Sequence, residues 1–173
     1  EINRLVDAGE VYFNIATEMM FYGGYDEVLI ENQYKKALDR FGHNSLKLSY
    51  VYNNMGIFYI LVKENVEEAL AYFQKAKLLG LSDFTYMTIN LNICMCDLLL
   101  DNEPQLLSQD YYNFMNSYER VVARKNTTAY ENQYRDLLEA IIMERHGKSI
   151  TELCKKHLSK SKDFFSPIWK DIL

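Results

Sequence analysis

Apolar side chains recur every three or four residues along most of the chain. This period places them on one face of an α-helix, whereas a half-buried β-strand would alternate at every second residue. Only seven glycines and two prolines interrupt the pattern, which is too few for the many turns of an all-β fold. The pattern therefore predicts an all-α protein. Six helices are predicted before residue 125, over about 3–21, 26–41, 45–62, 65–79, 83–100 and 104–123.

Turn-forming and capping residues mark the predicted helix ends. Gly23 and Gly24 separate the first two helices, and Gly42 follows the second. Asn65 with Glu68 three residues later has the spacing of a capping box, so we expect Asn65 to begin the fourth helix. Further capping-box spacings predict C-terminal helices within 127–173.

Three short stretches repeat the same chemistry at intervals of about forty residues. Each places an asparagine before an apolar residue and a small one: Asn14-Ile15-Ala16, Asn54-Met55-Gly56 and Asn92-Ile93-Cys94. A glycine inside a helix costs about 1 kcal/mol relative to alanine, so Gly56 needs a packing reason. We expect the small residues to allow close helix approach, and we expect Gly56→Leu to destabilise the protein by overpacking.

The middle stretch continues into a longer motif. Tyr52-x2-Met55-Gly56-x2-Tyr59, followed by Ala69-x3-Phe73, matches the pattern W-x2-L-G-x2-Y…A-x3-F at nearly every marked place. The chain thus resembles the tetratricopeptide repeat family. The first and third units match it more loosely, through Tyr12, Ile15, Ala16, Met19, Ile30, Tyr34 and Ala37 and through Ile93 and Cys94.

The resemblance implies a right-handed α-solenoid of stacked helix hairpins. About three degenerate units are expected, at about 3–43, 44–81 and 82–124, followed by the C-terminal helices at 127–173. Each hairpin buries its apolar face only against a neighbour, which favours one continuous domain over 1–173. The chain is expected to be part of a longer protein.

The resemblance also implies a binding face, because the first helix of each unit lines the groove in this family. Asn14, Asn54 and Asn92 are therefore expected to bind a peptide backbone, to which a primary amide offers two donors and one acceptor. Alternatively, these amides bond to a neighbouring helix or to water. Further candidates on the same helices are Phe13, Thr17, Tyr50, Asn53, Ile57 and Met95.

The character of these candidates favours an extended apolar peptide or a helix over a highly charged tail. If Asn54 serves only the ligand, Asn54→Ala should leave stability nearly unchanged.

Composition narrows the classes of partner. The formal net charge of -5 offers no general excess of cations for direct nucleic-acid binding, and no apolar run reaches the ~20 residues of a bilayer span.

Cys94 and Cys96 point about 200° apart on a helix, so they neither pair nor share a metal ion. With Cys154 they are expected to be reduced and mostly buried, which favours a cytoplasmic protein. No cofactor or metal is predicted, and an oligomer is compatible with the sequence.

No catalytic motif supports an enzyme, because the HExxH, G-x-S-x-G, P-loop and G-x-G-x-x-G patterns do not occur. The sequence therefore predicts a non-catalytic protein- or peptide-binding module, with no catalytic residue. Its expected setting is the sensor or assembly part of a larger signalling protein. The alternatives are the peptide-sensing domain of a helix-turn-helix transcription regulator, a free-standing scaffold and, least favoured, an autonomous enzyme.

Overall fold

The computed structural model describes residues 2–79, 82–100 and 104–124, and all of its regular secondary structure there is α-helical. The all-α class is thereby confirmed, and each of the six helices lies within two residues of its predicted bounds. The predicted C-terminal helices at 127–173 and Cys154 lie outside the described residues. The helices are α1 (Ile2–Tyr22), α2 (Glu27–Phe41), α3 (Ser45–Leu61), α4 (Val66–Lys77), α5 (Asp83–Leu99) and α6 (Pro104–Ala123).

Helix ends follow the local chemistry that the sequence predicts. The Asn65 side chain accepts a hydrogen bond from the backbone N–H of Glu68 at 2.9 Å and thereby begins α4. Asp26 and Asn44 cap α2 and α3 in the same manner. Gly42 ends α2 with a φ of 56°, a left-handed conformation that a side chain disfavours.

Contacts divide the chain into two compact units, Glu1–Leu81 and Ser82–Leu173. In the first unit, α1 packs along α2 and α3 packs along α4, while α3 also contacts α2 and, less extensively, α1. In the second unit, α5 packs along α6. Asp83 at the start of α5 pairs with Arg120 and Arg124 at the end of α6, at 2.8 and 2.9 Å, so the two helices are antiparallel.

Side-chain pairs fix the directions of the helices in the first unit. The Asn54 amide bonds to Thr17, and the Lys47 ammonium pairs with the Glu10 carboxylate. Both pairs join α1 to α3 at the same sequence offset of 37 residues, two helical turns apart. A constant offset requires that α1 and α3 run parallel and in register.

Helix α2 meets α3 in the opposite sense. Near the start of α2, Glu27 pairs with Lys63, which lies just beyond the end of α3, at 2.8 Å. One turn later along α2, Glu31 accepts a hydrogen bond from the Tyr59 hydroxyl at 3.4 Å, one turn earlier along α3. These two helices are therefore antiparallel.

The core of the first unit gathers residues from α1, α2 and α3 into one cluster. Its buried members include aromatic, aliphatic and small side chains: Ala16, Met20, Ile30, Tyr34, Ala37, Phe41, Val51, Met55 and Phe58. None of the described helices combines the length and the hydropathy that a membrane span needs.

Two glycines mark places where helices approach closely. A Cβ atom added to Gly56 of α3 would lie 2.5 Å from the ring of Phe73 in α4, and one added to Gly9 of α1 would lie 2.7 Å from the ring of Phe41 in α2. Both phenylalanines are buried, so neither ring has open space to move into. The packing reason predicted for Gly56 is thus a contact with the aromatic residue of its own hairpin.

Replacing Gly56 by alanine is expected to lower the free energy of unfolding by about 1–3 kcal/mol, because the new methyl group would overlap the Phe73 ring. This loss outweighs the gain of about 1 kcal/mol that alanine has over glycine inside a helix. Urea unfolding followed by circular dichroism measures the change. In a Phe73→Leu background, which opens the space, Gly56→Ala should cost less. A stabilised Gly56→Ala protein would contradict the close approach.

Candidate functional site

Four of the predicted binding residues meet between α1 and α3. The Asn54 amide donates to the Thr17 hydroxyl oxygen at 3.1 Å and accepts from the Asn53 amide at 3.3 Å. Thr17 in turn donates to the backbone carbonyl of Phe13 at 2.9 Å. The second of the three repeated asparagines therefore has a structural contact, as the alternative in the sequence analysis allowed.

The remaining candidates of the first unit flank this contact. Asn14 is exposed on α1, and its amide makes no hydrogen bond within the described part of the chain. Tyr50 is exposed and Ile57 is half-buried on α3, and helical spacing places both on the same side as Asn53. We call this surface the α1–α3 face; its residues are Phe13, Asn14, Thr17, Tyr50, Asn53, Asn54 and Ile57.

The Tyr34 hydroxyl explains why polar groups enter the core at this place. Tyr34 of α2 is fully buried, and its hydroxyl lies 3.4 Å from the Thr17 oxygen and 3.8 Å from the Met20 sulfur. The Thr17 hydroxyl donates to the Phe13 carbonyl and its oxygen accepts from Asn54, while the single Tyr34 proton faces both the Thr17 oxygen and the Met20 sulfur. A buried hydroxyl without such a partner would cost free energy, so this network stabilises the junction of α1, α2 and α3.

Burial raises the pKa of Tyr34 to about 12, and the polar side chains of Thr17 and Asn54 beside it oppose part of that rise. Sequence reasoning missed this role, although a signal was present. Tyr34 stands where the second unit has Phe73, and a buried tyrosine needs a polar partner that a phenylalanine does not.

Aromatic rings continue from this junction into the second hairpin. Phe13 contacts Tyr34, and Tyr34 contacts Phe58, each with 6.3 Å between ring centroids. Phe58 meets Tyr59 edge-on at 5.5 Å, and Tyr59 stacks on Tyr72 of α4 at 5.1 Å. Rings at these separations attract one another, so the series links all four helices of the first unit.

The phenols at the α4 end of this series are uncharged hydrogen-bonding groups at neutral pH. Burial, and secondarily the charges of Tyr72 and Glu31, raise the pKa of Tyr59, and burial also raises the pKa of Tyr72. Glu31, which accepts from Tyr59, also pairs with Lys35 at 2.7 Å. This part of the molecule joins α2, α3 and α4 through a hydrogen bond from a phenol to a carboxylate and through ring stacking.

The two candidates of the second unit lie on α5 and are buried. Asn92 and Met95 are both within the closely packed part of that helix, in contrast to the exposed Asn14. Asn90 and Asp97 are also buried there, and the Asn90 amide donates to the Tyr86 carbonyl at 2.9 Å. Asn90 and Asp97 thus place polar groups at two buried positions of α5 where the repeat pattern expects large apolar residues.

The cysteines of α5 carry no disulfide and are buried, as predicted for Cys94 and Cys96. Burial raises the pKa of the Cys96 thiol, and the neighbouring Asp97 carboxylate adds to the rise. A protonated, enclosed thiol is a poor nucleophile, so Cys96 acts as a packing residue.

One further polar feature of the first hairpin is a pocket between α1 and α2. A shallow pocket of about 220 Å³ between α1 and α2 is lined by Tyr12, Lys36, Asp39 and Arg40, none of which was a predicted site residue. The Lys36 ammonium lies 5.5 Å from the centre of the Tyr12 ring, which is cation–π distance. Within the described ranges, no three histidine, cysteine or acidic side chains are grouped so as to hold a metal ion.

Comparison of the chain with protein-family models, with curated proteins and with solved structures finds no match.

Asn54→Ala is expected to lower the free energy of unfolding by about 0.5–1.5 kcal/mol, because it removes an interhelical donor to Thr17. This revises the nearly neutral effect expected from the sequence alone. Urea unfolding measures the loss, and a double-mutant cycle with Tyr34→Phe tests the mechanism. The cost of Asn54→Ala should be smaller when the Tyr34 hydroxyl is absent. Strictly additive costs would show that the amide and the hydroxyl are not coupled.

Stability should also fall in alkaline solution through Tyr34, whose pKa rises from 10.0 to about 12 on folding. Between these values the unfolded chain loses the phenolic proton while the folded chain keeps it. The native state then binds more protons, so its stability decreases as pH rises, by at most about 1.4 kcal/mol per pH unit, and is unaffected by this group below pH 10.

The matched variant for this effect is Tyr34→Phe, which has no proton to lose. Unfolding free energies from about pH 8 to pH 11 should decline less steeply in the variant than in the parent chain. Identical pH profiles for the two proteins would contradict the role assigned to Tyr34.

Proposed function

We propose that the chain is a non-catalytic protein- or peptide-binding module of stacked, tetratricopeptide-like helix hairpins, and that its ligand lies on the α1–α3 face. The observation that carries this proposal is the parallel, in-register placement of α1 and α3, joined at Glu10–Lys47 and at Thr17–Asn54. Repeats of one supersecondary unit place their first helices side by side in this way and so create an extended surface.

The side chains of the face are compatible with a peptide in extended conformation. The exposed Asn14 amide provides two donors and one acceptor, which matches a peptide unit whatever its side chain. Tyr50 and Ile57 offer an aromatic and an aliphatic surface beside it. The residues that define this face are all uncharged, and the nearby Glu10 and Lys47 pair with each other, so the face holds no excess of cations for a strongly acidic tail.

The second asparagine has a different part in this proposal. Asn54 already donates to Thr17 and accepts from Asn53, so much of its hydrogen-bonding capacity is used within the protein. Its role is to hold the face in shape, while Asn14 and Tyr50 make the ligand contacts. The proposed setting, a sensor or assembly part of a larger signalling protein, rests on the sequence.

The proposal is tested by selecting binders to the full chain from a displayed library of short random peptides. Bound peptides should be enriched in apolar residues, and Asn14→Ala should weaken them by about 2- to 10-fold, which corresponds to the loss of one backbone hydrogen bond. Tyr50→Ala should weaken them further. Fluorescence anisotropy with the selected peptides measures both effects.

The matched control is Asn32→Ala, which removes an amide that is also exposed, from α2. The control should bind as the parent chain does. Selection of no peptide, or of peptides that ignore both Asn14→Ala and Tyr50→Ala, would contradict a ligand on the α1–α3 face.

A further inference from the structure

A second face of α1 stands out when it is compared with its counterpart in α3. The two helices correspond at an interval of 40 positions, as their asparagine stretches show. In α3, Val51, Met55 and Phe58 form one helical stripe and are 0%, 1% and 0% exposed. This stripe is covered by the first hairpin, where the ring of Tyr34 on α2 lies 6.3 Å from the ring of Phe58.

The corresponding stripe of α1 is uncovered. Val11, Ile15 and Tyr22 are 56%, 42% and 81% exposed, and Glu18 between them is exposed as well. We call these four residues the outer stripe. Helical spacing places them on one side of α1, away from the buried Ala16. Three large apolar side chains on one exposed stripe, with a single carboxylate among them, are typical of an interaction surface.

Glu18 adds a charge requirement to the outer stripe. It stands where α3 has the buried Phe58, and no ion pair to it is present among the described residues. The residues one turn away on α1, which include Asn14 and Tyr22, are uncharged. A partner that covers this stripe must therefore supply a cation, because a carboxylate buried without one is costly.

We propose that the outer stripe is a docking surface for an amphipathic helix of a partner protein whose apolar face carries a lysine or arginine opposite Glu18. The contact of α2 with α3 shows the geometry. The docked helix runs antiparallel to α1, and its basic residue takes the position that Tyr34 has against Phe58. The outer stripe shares no residue with the α1–α3 face, although Asn14 of that face lies one turn from Glu18, and neither proposal depends on the other.

The experiment uses the full chain and a displayed library of amphipathic helices in which the central position of the apolar stripe is randomised. Selection should enrich lysine and arginine over acidic residues at that position, on the order of tenfold. Ile15→Asp should weaken the selected helices by at least about tenfold. The control is Val122→Asp on α6, where the parent residue is 40% exposed against 42% for Ile15.

Reversing the charge of Glu18 tests whether this residue selects the basic residue of the partner helix. With Glu18→Lys as bait, the same library should return glutamate or aspartate at the central position. The proposal is overturned if no helix is selected, if the central position shows no charge preference, or if Ile15→Asp and Val122→Asp weaken binding equally. It is also overturned if the chain alone sediments as a dimer that Ile15→Asp dissociates, since a second copy would then be the occupant.

Discussion

The first unit depends on one constraint, which is that the buried hydroxyl of Tyr34 must have hydrogen-bond partners where three helices meet. Its ring contacts Phe13 on α1 and Phe58 on α3, while its hydroxyl lies beside the Met20 sulfur and the Thr17 oxygen, which accepts from Asn54. Apolar contacts are non-directional, so on their own they specify the register of α1 along α3 less sharply than hydrogen bonds do. A directional network in the core fixes that register, because each hydrogen bond has only one register in which it forms.

The ion pairs at the edge of the unit support the same arrangement but cannot determine it. Glu10–Lys47 and Glu27–Lys63 are partly exposed, and pairs of this kind contribute only about 0–1 kcal/mol. The contact of Phe73 with Gly56 acts at shorter range, since it sets how closely α3 approaches α4. The contact of Gly56 with Phe73 thus sets the separation of α3 and α4. The aromatic series connects the four helices, and the hydroxyl network fixes the register of α1 along α3.

The sequence was sufficient to predict the helices but not the polar contacts between them, and the reason is physical. Periodicity and capping residues such as Asn65 are local signals, so the six helices and the close contact at Gly56 were predictable. Helical spacing reports which face is buried but not which neighbour buries it. Asn14 and Asn54 look alike in sequence, yet one is exposed and the other bonds to Thr17.

Helix α5 shows the same limit of sequence-based prediction, here for a helix that is mostly buried. Nine consecutive residues of that helix, 89–97, are buried, and they include two asparagines and an aspartate. A helix that is enclosed on all sides has no polar face by which its orientation can be read from sequence. The groove role predicted for Asn92 and Met95 therefore stays a prediction that depends on contacts the pattern does not contain.

The use of Asn54 within the fold changes how a ligand on the α1–α3 face would gain affinity. A network that already satisfies Asn54 and Thr17 contributes preorganisation, which reduces the entropy lost on binding. Direct affinity would then come from Asn14, at about 0.5–1.5 kcal/mol per hydrogen bond, and from apolar area on Tyr50 and Ile57. Because one amide bond is weak, discrimination between ligands on this face must come mainly from the shape of the aromatic and aliphatic surface beside it.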